Sequence, residues 1–243
     1  MSVRAMILAA GLGTRLRPLT DTLPKALIKI NQRSLLERNI RYLQGFGIFE
    51  VIVNVHHFAE QIIQEITENK GWGSRIAISD EREQLLETGG GIRKASWFLE
   101  QGPDFLLINA DILTNLDLGL FIAAHRETGA LASLATSDRK SSRYLLFNQE
   151  AQLSGWRNVS TGEEKIVRQS GKLVPKAFSG IHLISSKIFP LIRLNGKFSM
   201  IDLYLDLAAD YTIKAFDHSG SKFIDVGKPD SIQTAEELFR DQG

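Results

Sequence analysis

The stretch that decides the fold is MILAAGLGTRLRP, residues 6–18. Its first five residues, Met6 to Ala10, are all apolar, which is typical of a strand buried inside a protein. Gly11 and Gly13 follow, and glycine lets the backbone turn sharply and bring its N–H groups close to a ligand without an intervening Cβ atom. Phosphate is the ligand that best matches a row of exposed N–H groups. The stretch therefore predicts a strand that ends in a phosphate-binding turn.

Two better-known phosphate loops do not fit this stretch. The dinucleotide-binding fingerprint requires a third glycine at position 16, which is leucine, and the Walker pattern requires Gly-Lys-Ser/Thr, which is absent. Between positions 11 and 33 lies a cluster of basic residues with the single acid Asp21: Arg15, Arg17, Lys25, Lys29 and Arg33. Arginine binds phosphate in a bidentate manner and lysine supplies a point charge. The alternative is an ordinary turn with solvated basic side chains.

Composition excludes several classes of protein. Of the 243 residues, 43% are hydrophobic and 23% are charged, which is typical of a globular protein and not of a disordered or collagen-like chain. No cysteine is present, so disulfide scaffolds, thiolate metal sites and cysteine nucleophiles are excluded. The net charge of +1 gives no field that attracts nucleic acid or an anionic membrane, so neither is expected as a partner. The apolar run at the start is too short for a signal peptide or a membrane span, and a cytoplasmic location is expected.

Short apolar runs alternate with segments of helical period, a pattern typical of βα units with a parallel sheet. Strands are predicted at 6–10, 50–55, 75–78, 105–108, 178–184 and 222–226, with helices after Ser34, around 58–66 and at 229–240. Residues 143–157 predict two antiparallel strands around a polar turn. We therefore expect one α/β domain over residues 1–243, with a mixed, mostly parallel sheet and an inserted subregion at about 140–185.

Two aspartates lie at the ends of predicted strands. Asp111 follows Ile108-Asn109-Ala110, and Asp225 lies within Ile224-Asp225-Val226-Gly227. Ligands of open α/β sheets bind beyond the carboxyl ends of the strands, so the two carboxylates can converge there. A polyphosphate bound at the predicted turn would bring Mg²⁺ with it, which one or two carboxylates hold together with phosphate oxygens and water. Mg²⁺ is accordingly the expected cofactor, and a turn-capping role for each aspartate is the alternative.

The string LAAGLGTRLRPLT, together with LPKAL at 23–27, resembles the signature of the sugar-1-phosphate nucleotidyltransferases, in particular the short members without a C-terminal β-helix. The resemblance implies a Rossmann-like, three-layer fold and an enzyme that joins a nucleoside triphosphate to a sugar 1-phosphate and releases pyrophosphate. It also implies roles for the residues of the glycine loop. The backbone of Leu8, Ala10 and Gly11 would hold base and ribose, Gly13, Thr14 and Arg15 the triphosphate, and Lys25 the reacting phosphates. Asp111 and Asp225 match the metal motifs of the family.

A second glycine-rich loop is predicted at Glu87-Thr88-Gly89-Gly90-Gly91, before a helix. It resembles the form found in uridylyltransferases for N-acetylmuramate 1-phosphate and in some mannose-1-phosphate guanylyltransferases. By that resemblance Thr88 and Gly89 would contact the nucleotide, and Glu81 is the expected residue for base recognition. UTP and N-acetylmuramate 1-phosphate are therefore the favoured substrates.

The sugar phosphate is expected to lie against Lys25, Asn109, Glu164, Lys165 and Gly180, again by resemblance. The lactyl carboxylate of N-acetylmuramate calls for a basic partner, and the sequence leaves Arg93, Lys94, Lys165 and Arg168 open. His56 either lines the pocket or is a capping or packing residue. His125, His182 and His218 are expected to be structural.

The reaction expected from these residues is an in-line displacement at the α-phosphorus, with Arg15, Lys25 and Asp111 as catalytic residues. One alternative is a guanylyl- or cytidylyltransferase for mannose, heptose or choline phosphate. Another alternative is a nucleotide-sugar sensor without activity, or a glycosyltransferase that shares the nucleotide-binding fold. Such glycosyltransferases commonly carry Asp-x-Asp at the position where this chain has Asn109-Ala110-Asp111. A monomer or a small homo-oligomer is expected.

Overall fold

The computed structural model describes residues 3–240, so the ends of the predicted domain, 1–2 and 241–243, lie outside the described residues. The strands are β1 Arg4–Leu8, β2 Lys29–Ile30, β3 Arg33–Ser34, β4 Glu50–Val55, β5 Arg75–Asp80, β6 Asp104–Asn109, β7 Ile112–Thr114, β8 Ala132–Ser137, β9 Arg143–Phe147, β10 Leu153–Asn158, β11 Glu164–Ile166, β12 Val174–Ser185, β13 Ile213–Asp217 and β14 Phe223–Asp225. The helices are α1 Leu35–Gly45, α2 Ala59–Glu68, α3 Glu87–Lys94, α4 Ser96–Leu99, α5 Leu118–Thr128, α6 Met200–Leu207 and α7 Asp230–Leu238. Short 3₁₀ turns span Thr14–Leu16, Leu19–Asp21, Lys25–Leu27, Lys70–Gly73 and Ser186–Leu191.

β1 lies inside a ten-stranded sheet of order β11-β10-β9-β12-β6-β1-β4-β5, with β8 and β13 joined to it through β12. The strands β6, β1, β4 and β5 are parallel, and β12 runs antiparallel to β6, which makes the sheet mixed. Met6 and Ile7 are both fully buried, on opposite faces of the sheet. Ile7 packs in a core with α1, α2 and α5, and Met6 in a core with α3, α4 and α6. The predicted mixed, three-layer α/β fold is thus confirmed.

Several predicted elements are present. α1 begins after Ser34, whose hydroxyl accepts the N–H of Glu37 at 3.1 Å, as expected for an N-cap. The two strands predicted within 143–157 are β9 and β10, and they pair antiparallel. β8 and β13, which pair with each other in parallel, were not predicted, because their short runs lack a clear alternation of polar and apolar residues.

β12 connects the antiparallel subregion to the parallel part of the sheet. It pairs with β9 at residues 174–176 and with β6 at residues 181–185. The register with β8 shifts between Phe178 and His182, and Gly180 within this bulge has φ +71°. A bulge with a positive-φ glycine bends a strand sharply, so a single strand can serve both parts of the sheet.

Over residues 3–240, no helix combines the length and the apolar character needed to cross a membrane.

Candidate active site

The main cleft opens at the carboxyl ends of β1, β4 and β6 and has a volume of about 550 Å³. Most of the residues predicted to bind nucleotide or phosphate line it, namely Leu8, Ala10, Gly11, Gly13, Thr14, Arg15, Lys25, Thr88, Asn109 and Asp111. They come from separate parts of the chain, and adjacent parallel strands bring them to one edge of the sheet. The residues from Gly11 to Arg15 are mostly exposed, and all five line the cleft.

The turn after β1 is fixed at Gly13. This residue has φ +64°, and a Cβ atom there would lie 2.8 Å from Thr20 Cγ2, so only glycine fits without strain. The Thr20 hydroxyl and the Leu16 N–H both donate to the Gly13 carbonyl, each at 2.9 Å. Leu16 is fully buried and anchors the 3₁₀ turn that presents Thr14 and Arg15 to the cleft.

Asn54, at the end of β4, lines the cleft and was missed in the sequence. Its Oδ1 accepts the N–H of Ala9 at 2.7 Å, and its Nδ2 donates to Glu81 Oε1 at 2.8 Å. The second oxygen of Glu81 accepts the N–H of Leu86 at 3.2 Å, and Glu81 is fully buried. Glu81 therefore lies behind the cleft wall, where its carboxylate fixes the Asn54 side chain. The expectation that Glu81 contacts the base is wrong, because its side chain does not reach the cleft surface. A polar asparagine inside the apolar run at 50–55 was the available signal.

The predicted glycine loop at 87–91 is wrong, because these residues form the first turns of α3. Gly89 N donates to the Phe198 carbonyl at 2.9 Å, and a Cβ on Gly89 would overlap the Phe198 ring. Gly89 is therefore used for packing and does not line the cleft, whereas Thr88 does. These glycines let a neighbouring backbone segment pack closely against the helix. In the sequence alone, glycines with this role look the same as glycines that form a loop.

Close approach of two backbones also explains Gly90. A Cβ there would overlap the carbonyl oxygen of Gly196. The segment 196–199 thus lies directly on α3, and the hydroxyl of Thr88 accepts the N–H of Met200 at 2.8 Å. Ser199, at the end of this segment, lines the cleft.

β7 and β14 bring the two predicted metal ligands together. Asp225 lies opposite Ile112 in an antiparallel pair, and Val226 N donates to the carbonyl of Asp111 at 2.9 Å. Asp111 is held from the other side as well, because buried Asn39 donates to the Ala110 carbonyl at 3.0 Å. Asn39 acts on the backbone of the Asn-Ala-Asp motif and had no signal beyond its place on the apolar face of α1.

The charges around these aspartates point to a cation site. Asp111 Oδ2 is paired with Lys25 Nζ, while its buried Oδ1 has no hydrogen-bond partner within residues 3–240. Desolvation raises the pKa of Asp225, and the Asp111 carboxylate raises it further, whereas Lys25, Arg15 and Arg139 lower it. An unpartnered carboxylate oxygen beside a second, repelled carboxylate fits a divalent cation.

The described part of the chain contains no group of three or more histidine or acidic side chains arranged around one metal position. Two carboxylates are sufficient for Mg²⁺, which keeps water and takes phosphate oxygens from its substrate. The two carboxylates thus fit a Mg²⁺ ion that takes its remaining ligands from water and phosphate oxygens.

Gly180 packs against the side chain of Asn109, which lines the main cleft. A Cβ atom on Gly180 would lie 2.7 Å from Asn109 Nδ2, so the glycine is needed for Asn109 to reach the cleft. Gly180 does not line the cleft itself, although it was expected among the sugar-phosphate residues.

A second pocket, of about 510 Å³, lies between the antiparallel subregion and α6 and shares Ser199 with the main cleft. Lys165 lines this pocket and lies opposite Trp156 in the sheet. Glu164 was expected beside Lys165, but it pairs with Arg157, and neither of these two lines the pocket. Consecutive residues of a strand point to opposite faces, so the Glu164 side chain lies on the face opposite to that of Lys165.

The histidines are accounted for by other contacts. His56 Nδ1 is hydrogen-bonded to the Glu81 carbonyl at 2.7 Å and does not line the cleft. His125, His182 and His218 are buried and hydrogen-bonded to Ser133, Tyr204 and Ser179.

Comparison with known proteins agrees with the geometry of the cleft. The nucleotidyl transferase family matches residues 4–242. An N-acetylmuramate alpha-1-phosphate uridylyltransferase from Caulobacter vibrioides is 33% identical over 238 residues, which cover 96% of this chain and 95% of that protein. A mannose-1-phosphate guanyltransferase from Yarrowia lipolytica is 26% identical over 98% of this chain and 64% of its own length.

Among solved structures, a putative glucose-1-phosphate thymidylyltransferase from Bacillus anthracis has a TM-score of 0.83 at 17% identity, covering 99% of this chain and 96% of that one. At this identity the likeness concerns the fold alone. The match to the family over residues 4–242 and the Caulobacter relative extend over nearly the whole chain. This chain belongs to the nucleotidyl transferase family.

Proposed function

We propose that the protein transfers the uridylyl group of UTP to N-acetylmuramate 1-phosphate, with release of pyrophosphate. The observation that carries the proposal is the convergence of four charged groups. Arg15, Lys25 and Asp111 line the main cleft, and the charges of all three act on Asp225, which lies beside the cleft in a pocket that it shares with Arg15 and Gly227. The main cleft also shares Ser199 with the second pocket. The Caulobacter relative supports this choice of substrates. The mannose-1-phosphate guanyltransferase is a more distant relative, and its substrates are the second candidate.

In the proposed reaction, an oxygen of the sugar phosphate forms a bond to the α-phosphorus of UTP, and the bond from that phosphorus to the leaving pyrophosphate breaks. A phosphate monoester has a second pKa near ~6, so the attacking oxygen is already ionised at neutral pH. No side chain is needed to remove a proton. The protein therefore acts mainly by placing the two substrates in line and by neutralising their charge.

Each charged group has a separate task in this reaction. Lys25 lies against Asp111 and can turn its ammonium group to the reacting phosphates, and Arg15 reaches the triphosphate from the exposed turn. Asp111 and Asp225 would hold Mg²⁺, which when bound neutralises charge on the phosphates. The backbone N–H groups of Gly11 and Gly13 serve the nucleotide, and Lys165 the sugar phosphate. We expect such an enzyme to work in the cytoplasm, as a monomer or a small homo-oligomer.

The test is pyrophosphate release for four nucleoside triphosphates against several sugar 1-phosphates, with Mg²⁺ or with a chelator. We expect the highest kcat/KM for UTP with N-acetylmuramate 1-phosphate and no turnover with the chelator. Asp111→Asn and Lys25→Met should each lower kcat about 10²–10³-fold, the usual effect of removing an electrostatic stabiliser. Asp206→Asn, which removes an exposed carboxylate of α6, is the matched control and should change nothing. A preference for GTP with mannose 1-phosphate, or tight nucleotide binding without turnover of any pair, would contradict the proposal.

A further inference from the structure

The second pocket has features that a sugar bearing a negative charge would use. One wall is aromatic, with Trp156 and Phe178, and the opposite side is α6. Two cations, Arg143 and Lys165, line it. N-acetylmuramate differs from N-acetylglucosamine only by a lactyl ether, which adds a methyl group and a carboxylate. That carboxylate requires a cation of the pocket that is not already paired.

The sequence left four basic residues as candidate partners of the lactyl carboxylate, and three of them are hydrogen-bonded outside the second pocket. Arg93 donates to the Leu194 carbonyl, and Lys94 donates to the Asp80 carbonyl. Arg168 donates to the carbonyl of Ala208 at 2.8 Å, just after α6. None of these three lines the second pocket. Of the four candidates only Lys165 remains.

Lys165 already has interactions within the pocket. Its Nζ lies 3.8 Å from Glu163 Oε1 and 5.8 Å from the centre of the Trp156 ring. The proposed function assigns it to the sugar phosphate. Asp202, the other acid of the pocket, accepts the hydroxyl of Ser199 at 2.7 Å at the start of α6.

Arg143 is different, because its guanidinium group makes no hydrogen bond or ion pair with any residue from 3 to 240. Its backbone, in contrast, is held in place. Arg143 N donates to Ser141 Oγ at 3.2 Å, and Ser141 N donates to the hydroxyl of Tyr144 at 2.9 Å. A fixed backbone with an unpaired, exposed guanidinium group is a suitable arrangement for binding a carboxylate, which arginine can contact through two parallel hydrogen bonds.

We propose that Arg143 determines specificity by binding the carboxylate of the sugar's lactyl group. The proposal rests on the proposed function, since it assumes that the second pocket holds the sugar. Trp156 and Phe178 then offer apolar surface to the methyl groups of the lactyl and acetyl substituents. Arg143 does not contact the reacting atoms, so its contribution is to substrate binding.

The experiment compares N-acetylmuramate 1-phosphate with its lactyl amide, which keeps the shape but loses the charge. For Arg143→Gln we expect kcat/KM with the acid to fall about 10–100-fold, mainly through a higher KM, because a hydrogen-bonded charge pair is lost. With the amide, wild type and Arg143→Gln should be equal, and the KM for UTP should not change. Arg157→Gln, on the same sheet but outside the pocket, is the control and should match wild type with both sugars.

The outcomes separate the two proposals. If wild type turns over N-acetylmuramate 1-phosphate but Arg143→Gln distinguishes acid from amide as well as wild type does, only the role of Arg143 is wrong. An equal loss with both sugars would mean that Arg143 acts through the structure of the pocket, which also overturns the inference. If Lys165→Gln alone abolishes the distinction, Lys165 binds the carboxylate. If wild type does not use the acid at all, the proposed function fails and this inference fails with it.

Discussion

Gly227 lies directly against two charged groups of the site, the carboxylate of Asp225 and the guanidinium group of Arg15. A Cβ atom there would lie 2.7 Å from Asp225 Oδ1 and 3.0 Å from Arg15 Nη2. Both atoms are the ends of side chains, which can shift without moving the backbone. The absence of a side chain at Gly227 therefore sets where a carboxylate and a guanidinium group lie, and activity should be more sensitive to this position than stability.

Gly227→Ala should fold normally but release pyrophosphate about 10–100-fold more slowly, because displacing reacting or positioning groups by an ångström has effects of this size. Steady-state kinetics and thermal unfolding of the same preparation give the two readouts. Gly220→Ala is the control, since a Cβ atom at Gly220 meets nothing within 4 Å. Unchanged activity in Gly227→Ala would show that Arg15 and Asp225 need not lie where the structure places them.

At the scale of elements, the segment 196–199 packs on α3, and its last residue, Ser199, lines both the main cleft and the second pocket. Gly89 and Gly90 donate their N–H groups to the Phe198 carbonyl at 2.9 and 3.3 Å, and the ring of Phe198 lies against Gly89. Glycine is normally unfavourable inside a helix by roughly 1 kcal/mol relative to alanine. Here that cost is offset by backbone contact, which no larger residue would permit.

Gly90→Ala should therefore lower the free energy of unfolding by about 1–3 kcal/mol, the usual effect of overpacking, although alanine favours helices. The clash is with the carbonyl of Gly196, which is backbone and cannot move aside easily. In Gly45→Ala, at the end of α1, a Cβ atom meets nothing within 4 Å, so stability should be unchanged or slightly raised. Denaturant unfolding of both variants measures the difference. Equal stabilities would mean that the segment 196–199 does not lie on α3 in solution.

At the scale of the whole molecule, buried histidines make stability depend on pH. His182 lies in the core against Tyr204, and burial lowers its pKa from 6.5 to about 3. Burial also lowers the pKa of His125 and His218. The unfolded chain takes up a proton at His182 as the pH falls through 6.5, whereas the folded protein does so only near pH 3. The folded state should therefore lose stability as the pH falls across this window.

For His182 alone, the loss at pH 5 should be about 2 kcal/mol relative to neutral pH. His182→Gln keeps a group that can accept the Tyr204 hydroxyl but cannot be protonated, so its midpoint of thermal unfolding should decrease less between pH 7.5 and pH 5 than that of wild type. His57→Gln, which changes an exposed histidine, should follow wild type. The comparison uses the change with pH, so it is independent of the starting stability of each variant. Parallel curves for wild type and His182→Gln would contradict the assignment.

The sequence was sufficient to predict those parts of the structure that depend only on residues adjacent in the chain. The apolar run at 6–10 and the following glycines determined β1 and its turn, because burial and backbone freedom are properties of those residues alone. Ser34 predicted the start of α1 for the same reason. The basic residues after the turn and the two motif aspartates are also visible in short strings of the sequence, and their roles in binding and catalysis stay predictions. The family resemblance rested on these strings, and the match over residues 4–242 confirms it.

Tertiary structure decided every contact between distant segments. Glu81 is a buried partner of Asn54, Glu164 lies outside the pocket that Lys165 enters, and three glycines belong to a helix because another backbone lies on it. The sequence could not distinguish Arg143 from the other basic residues. Only the structure shows that the four candidates left open by the sequence already have partners, whereas the guanidinium group of Arg143 has none within residues 3–240. The pairing of β14 with β7, in a two-stranded sheet of their own, brings Asp111 beside Asp225, and one oxygen of Asp111 has no hydrogen-bond partner within residues 3–240. Residue types are local properties of a chain, whereas burial, pairing and close approach arise only when distant segments meet.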